Sequence, residues 1–188
     1  LAWDEFEDLA QKTKTFLQYE GFDVEINIVD KEAFHCYFRF PKILFEKGIS
    51  QIREEKIIIR LDSTSQGSDY NPEIKILNKF DVFTEIRVTP LDVLLSMKIY
   101  AAVNRKRAKG RDFYDITFLL GRSKPDYNFL KKKMGIDSPE ELREIFQEKI
   151  EVFDFVALAN DVAPFLFNVN EKRRVERFEM YWQQAALI

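Results

Sequence analysis

Apolar residues recur first at a helical spacing and then at an alternating one. Trp3, Phe6, Leu9, Ala10, Thr13, Phe16 and Leu17 follow a period near 3.6, and Gly21 is a natural left-handed stop, so the pattern predicts a helix over 3–20. From 22 to 29, Phe22, Val24, Ile26 and Ile28 alternate onto one face. From 32 to 40, Phe34, Cys36, Phe38 and Phe40 oppose His35, Tyr37 and Arg39. The two stretches predict neighbouring antiparallel strands joined through VDKE. Pro41 ends the second, and KILFEKGI predicts a short turn or helix. A third strand is predicted over 56–62, with Ile57, Ile59 and Leu61 on one face and Ile58, Arg60 and Asp62 on the other. The polar loop STSQGSDYNPE follows, long enough to be mobile or ligand-facing, and then a strand over 81–88. These strands are expected to share one small antiparallel or mixed sheet.

The register changes at VTPLD. Thr89 reads as an N-cap, Pro90 as the first helical residue and Asp92 as an acidic group in the first turn. Along the helix that follows, Leu91, Leu94, Leu95, Lys98, Ala102 and Arg105 form one broad stripe, in which Lys98 stands where an apolar residue belongs. Two readings of Lys98 stay open: its stem snorkels over the core with the charge at the rim, or it emerges beneath a pocket to hold a phosphate. NRKRAKG predicts the helix end with a turn at Gly110, and RDFYDITFLLG predicts a second helix ending at Gly121. Asp112 and Asp115 are i,i+3 neighbours in that helix, close enough to its apolar stripe to face Lys98 and Arg105. Capping and the helix dipole explain part of this placement. They do not explain a lysine in one apolar face opposite acids at the start of the next helix, so an ion network is expected, either structural or positioning the two cations for an anionic substrate.

Helical patterns continue to the C-terminus. YNFLKKKMG predicts a short basic helix. Ser138, Pro139 and Glu141 form a capping box ahead of ELREIFQEKI. EVFDFVALAN predicts another helix, broken near Pro164. In EKRRVERFEMYWQQAALI, Val175, Phe178, Tyr181 or Trp182, and Ala185 share a face, and the charges between them read as a solvated face or as a contact for RNA or an antitoxin.

Composition narrows the function classes. The chain has 188 residues, 46% of them hydrophobic, with 18 phenylalanines, which is ample for a packed core. No apolar run approaches the ~20 residues of a membrane span and no signal peptide is visible, so no membrane association is expected. The single cysteine, Cys36, excludes an intrachain disulfide and a cysteine-cluster zinc site, and an intracellular, cytoplasmic setting is expected. His35 is the only histidine and reads as a sheet-face residue. The net charge of −3 hides an asymmetry: from Arg105 to Lys133 there are 10 Lys or Arg residues against 3 Asp. Phosphate chemistry is expected in that segment. Asp62, at the end of its strand, reads either as a carboxylate available to a metal or as a cap on the loop that follows.

The stretch LLSMKIYAAVNRKRAKGRDFYDITFLL closely resembles the second-half signature of the AbiEii/AbiGii-type nucleotidyltransferase toxins of abortive-infection and toxin–antitoxin systems. There a helical lysine with an alanine three residues on is followed by an arginine, a basic turn and R-D-x-x-D. Lys98 with Ala101, then Arg105, then Arg111, Asp112 and Asp115 supply that pattern here. The strand ending in Asp62 resembles the family's strand with a third acidic residue. The resemblance implies an α+β fold: a partial polymerase-β-like nucleotidyltransferase core over 1–88 and a helical region over 89–188. It implies transfer of a nucleotide from an NTP to an RNA acceptor such as tRNA, with Mg²⁺ as cofactor and a cognate antitoxin as partner. It also implies roles: Asp62 beside a metal; Lys98, Arg105, Lys109 and Arg111 on nucleotide phosphates; and Asp112 and Asp115 orienting the basic groups.

The family's opening G-S or G-G segment and D-x-D strand find no counterpart. Gly21, Gly48 and Gly67 lack the strand context, and Asp4 with Asp8 reads as a helix face. The expectation is that the chain begins just after that strand, as a catalytically incomplete or degenerate core, inactive alone. Two other readings remain: a non-enzymatic member binding nucleic acid or a partner through its basic segment, and a metal-dependent nuclease.

Overall fold

The computed structural model describes residues 1–64 and 70–188. The centre of the polar loop after Asp62, Gly67 included, lies outside the described residues, and with it the expectation of a ligand-facing loop. The fold is α+β, with two small antiparallel sheets and the helices concentrated in the C-terminal half. The chain divides into two compact units, Leu1–Gly67 and Ser68–Ile188. The change of sequence period at 88 therefore falls inside the second unit.

In the first unit, helix α1 (Trp3–Tyr19) packs on a sheet of β1 (Glu25–Asp30), β2 (Phe34–Pro41) and β3 (Lys56–Ser63), ordered β1-β2-β3 and antiparallel throughout. Alternation puts Cys36, Phe38 and Phe40 of the central strand against Phe6 and Ala10 of α1, with Val24 completing the buried set. Trp3 meets the edge of Phe34 at 5.2 Å between ring centroids. The buried stripe of α1 is narrower than its apolar residues predict: Leu9 and Phe16 are exposed. Ile59, predicted on the core face, is also exposed, since β3 is an edge strand and one helix covers only part of a three-stranded sheet. Gly21 takes φ +88°, the left-handed stop that follows α1. The short helix α2 (Ile43–Glu46) lies between β2 and β3.

The second unit opens with a hairpin, β4 (Glu73–Lys79) and β5 (Val82–Val88). The first strand is absent from the sequence reading. EIKILNK alternates, but its glutamate, lysines and asparagine blend with the polar loop before it. β5 pairs with β4 rather than joining the three-stranded sheet, so the single sheet expected is two. Phe80, in the two-residue connection, takes φ 53°, an uncommon conformation for an aromatic residue.

Seven helices follow: α3 (Leu91–Asn104), α4 (Gly110–Leu120), α5 (Tyr127–Met134), α6 (Pro139–Ile150), α7 (Phe155–Val162), α8 (Arg173–Glu176) and α9 (Phe178–Gln184), with 3-10 turns at Ala163–Phe165 and Val169–Lys172. Pro90, not Thr89, is the residue preceding α3; the Thr89 hydroxyl instead hydrogen-bonds Tyr70 at 2.8 Å. Asp92 Oδ1 accepts the Val93 amide at 2.8 Å, so the first turn is held from within. α3 is apolar on most sides, and its buried residues are Val93, Leu95, Ser96, Ile99 and Ala102, a face rotated from the predicted stripe. The Ser96 hydroxyl donates to the Asp92 carbonyl at 3.0 Å and accepts the Asp126 amide at 2.7 Å, tying α3 to the start of α5. Ser138 caps α6 by accepting the Glu141 amide, while Glu141 reaches back to the Asp137 amide.

Phe113 is the centre of this core, with its ring edge-on to Phe155 at 5.2 Å and Phe178 at 4.9 Å. It anchors the first turn of α4. Gly110, predicted as a turn, is instead the first residue of α4, and it is glycine for lack of room. A Cβ there would stand 1.9 Å from the Leu158 carbonyl oxygen of α7. Gly110→Ala is therefore expected to lower stability by about 1–3 kcal/mol through forced separation of α4 from α7. A chemical-denaturation midpoint equal to the parent's would show that the approach is not tight.

Candidate functional site

The junction of α3 and α4 gathers four charged side chains. Lys98 and Arg105 are seven residues apart, two turns along one side of α3. Asp112 and Asp115 are three apart on one side of α4. At the C-cap of α3 the backbone of Arg105 turns extended (ψ 139°), while its amide still donates to the Ala101 carbonyl at 3.2 Å. From there Arg105 Nε comes within 3.0 Å of Asp112 Oδ2. Lys98 Nζ lies 2.7 Å from Asp115 Oδ2 and 3.8 Å from Asp112 Oδ1. Of the two readings of Lys98, simple snorkelling is insufficient, because its ammonium is held by two carboxylates.

The side-chain exposures run in a gradient: 0% for Asp112, 27% for Lys98 and 40% for Arg105. The innermost charge is thus a carboxylate, with both cations reaching it from the rim. An isolated buried carboxylate is costly, and two counter-charges offset that cost. Neither Asp112 oxygen receives a well-directed hydrogen bond, so its compensation is mainly Coulombic. Arg105 pairs through Nε, and its two terminal nitrogens have no partner among the described residues. The network therefore presents an ammonium and the free edge of a guanidinium, both positioned by acids behind them.

Lys109 and Arg111 occupy a different place. With Asp161, Val162 and Phe165 they line a cavity of about 380 Å³ beside the start of α4. Asp161 Oδ2 accepts the Gly110 amide at 3.3 Å. Asp161 and Phe165 were not legible as site residues: an aspartate near a helix end and a phenylalanine after Pro164 carry no motif. Tyr114, also unmarked, donates to the Glu171 carboxylate, and that bond pushes its phenol pKa upward.

Asp62 belongs to the first unit. Its Oδ1 lies 2.6 Å from His35 Nδ1 and its Oδ2 lies 2.9 Å from Arg60, a cross-strand pair and a same-strand pair on the polar face of the sheet. The His35 hydrogen bond is the largest influence on its carboxyl; desolvation opposes it, and the charges of Arg60 and His35 add to it, leaving the group below the usual aspartate range. A depressed pKa stabilises the fold above the unfolded-state value, and the effect fades as pH falls through the folded value. In His35→Gln, the Asp62 carboxyl-carbon NMR midpoint is expected to rise toward that of an ordinary aspartate, near 3.9. An unmoved midpoint would mean His35 is not the controlling partner. Among the described residues, no group of three or more His, Cys, Asp or Glu side chains is arranged to hold a metal ion. Nor, among them, is any helix long and apolar enough to cross a membrane.

The family model described as Nucleotidyl transferase AbiEii toxin, Type IV TA system, matches residues 2–182. No curated protein and no solved structure matches the chain.

Proposed function

Since the chain belongs to the AbiEii nucleotidyl transferase toxin family of Type IV toxin–antitoxin systems, we propose that it serves the transfer of a nucleotide from an NTP to an RNA acceptor, tRNA among them. The observation that carries this reading is the ion network of Lys98, Arg105, Asp112 and Asp115. In such a transfer the acceptor hydroxyl oxygen bonds the α-phosphorus, the bond from that phosphorus to the bridging oxygen of the β-phosphate breaks, and pyrophosphate leaves. The hydroxyl proton passes to water. Negative charge builds on the phosphoryl oxygens and on the leaving group, and fixed cations lower the energy of that charge more than mobile ones do.

Lys98 and Arg105 would meet the nucleotide phosphates. Asp115 holds the Lys98 ammonium in place, and Asp112 holds Arg105 by one edge so that its other edge faces outward. The acids are positioning residues; the cations are the groups that touch substrate. The divalent metal that such enzymes generally use does not fit the described residues: Asp62 has both oxygens engaged, and no carboxylate cluster accompanies it. A cognate antitoxin follows from membership of a toxin–antitoxin family, and a cytoplasmic setting follows from the NTP and RNA substrates.

The test is transfer itself. The protein as its gene encodes it is incubated with total RNA and each α-labelled NTP in turn, with Mg²⁺ present. Label on RNA with at least one NTP is expected. Absence of label with all four would overturn the enzymatic reading and leave a non-enzymatic binding protein.

A further inference from the structure

We propose that the hollow beside the start of α4 docks single-stranded acceptor RNA, with a base stacked on Phe165 and the backbone phosphates met by Lys109 and Arg111. The acceptor role rests on the nucleotidyl transfer proposed above; the docking chemistry does not.

Three features of this surface point to that occupant. First, Phe165 lines the cavity and yet is 81% exposed. A phenylalanine that contributes so little to the core, set on a 3-10 turn directly after Pro164, is a flat apolar face turned to solvent. Second, the side chains of Lys109 and Arg111 make no hydrogen bond or ion pair among the described residues, whereas those of Arg105 and Lys98 nearby in sequence are both paired. Lys106 and Arg107, exposed on the preceding turn, are likewise without partners there. Third, the cavity volume of about 380 Å³ lies at the low end of the ~300–1,000 Å³ range of small-ligand sites, enough for one base.

Charge separates RNA from the NTP as occupant. Asp161 sits in the wall, where it takes up the Gly110 amide, so the start of α4 is not a free anion site. Two cations against one carboxylate leave a single net positive charge in the hollow. That suits a phosphodiester, with one charge per nucleotide, better than a triphosphate. The four unpaired cations are spread along 106–111 rather than converging on one point, which fits a strand's backbone. A duplex keeps its base faces stacked inside, whereas a single strand offers them to an aromatic side chain.

Binding of a short fluorescein-labelled oligouridylate, read by anisotropy without NTP, tests this in the whole protein. Phe165→Ala is expected to weaken binding roughly tenfold, the size of one lost base–aromatic stack, and Phe165→Trp to restore it. Lys109→Ala with Arg111→Ala is expected to lower the slope of log affinity against log salt by about 0.7 for each cation removed. Because Phe165 is exposed, its variants should keep the parent's melting temperature. Unchanged affinity in Phe165→Ala, an unchanged salt slope in the double variant, or an equal loss for duplex RNA would each overturn the proposal. Binding is read apart from transfer, so a protein that docks RNA and transfers nothing refutes the enzymatic reading alone.

Discussion

Arg105→Met is expected to destabilise the protein by about 3 kcal/mol, the lower end of the ~3–5 kcal/mol cost of breaking a buried ion pair. The damage comes from what is left behind. Asp112 has no exposed surface and no directed hydrogen bond, and without Arg105 its nearest counter-charge is Lys98 at 3.8 Å. Arg105 itself is partly exposed, so water reaches its side of the pair and keeps the effect toward the lower bound. Methionine preserves most of the aliphatic stem, which separates loss of charge from loss of packing. Adding Asp112→Leu should recover most of the lost stability, since a pair replaced by apolar groups is often neutral. The measurement is the chemical-denaturation midpoint followed by Trp182 fluorescence in a Trp3→Phe background, so that the second unit alone is reported. If the double variant is as unstable as the two single variants summed, the side chains are not coupled as their 3.0 Å separation implies.

That network was legible in the sequence because its oddity is local. A lysine in an apolar stripe, and two acids three residues apart after a basic turn, conflict with simple burial, and such conflicts mark places where charge is being held for a reason. The same logic recovered β2, whose alternation of Phe34, Cys36, Phe38 and Phe40 matches its buried face. It failed where the signal depends on what lies across space. β4 alternates too, but its lysines and exposed isoleucines follow from pairing with β5 alone, with no sheet face to bury, so the usual apolar contrast is missing. Gly110 reads as a turn because glycine commonly ends helices; its actual constraint is the Leu158 carbonyl, 48 residues away along the chain (158 − 110). The separation of Lys109 and Arg111 from Lys98 and Arg105 was equally hidden. Arg105, Lys109 and Arg111 share one basic segment and Lys98 stands seven residues before it, and only the backbone's turn out of α3 at Arg105 and into α4 at Gly110 sends the two pairs to different places.

Lys98→Met is expected to lower nucleotide transfer about 10²–10³-fold, the effect of losing one preorganised group that stabilises transition-state charge, or roughly 3–4 kcal/mol. Its stem is retained, so the packing of α3 against α4 should survive. Asp115 gives the complementary case. Asp115→Asn leaves the ammonium present but releases its 2.7 Å anchor, so transfer should fall less than in Lys98→Met. The effect should also lie in the chemical step more than in RNA binding, because the hollow lined by Lys109, Arg111 and Phe165 is untouched.

The most direct measurement is single-turnover transfer from a labelled NTP to saturating RNA with Mg²⁺ present, comparing the protein as its gene encodes it with its Lys98→Met variant of matched melting temperature. Transfer by the parent is expected, with a fall of at least about a hundredfold in the variant and unchanged RNA affinity. Equal transfer rates in the two proteins would contradict it, and would reduce the ion network at the α3–α4 junction to a structural brace.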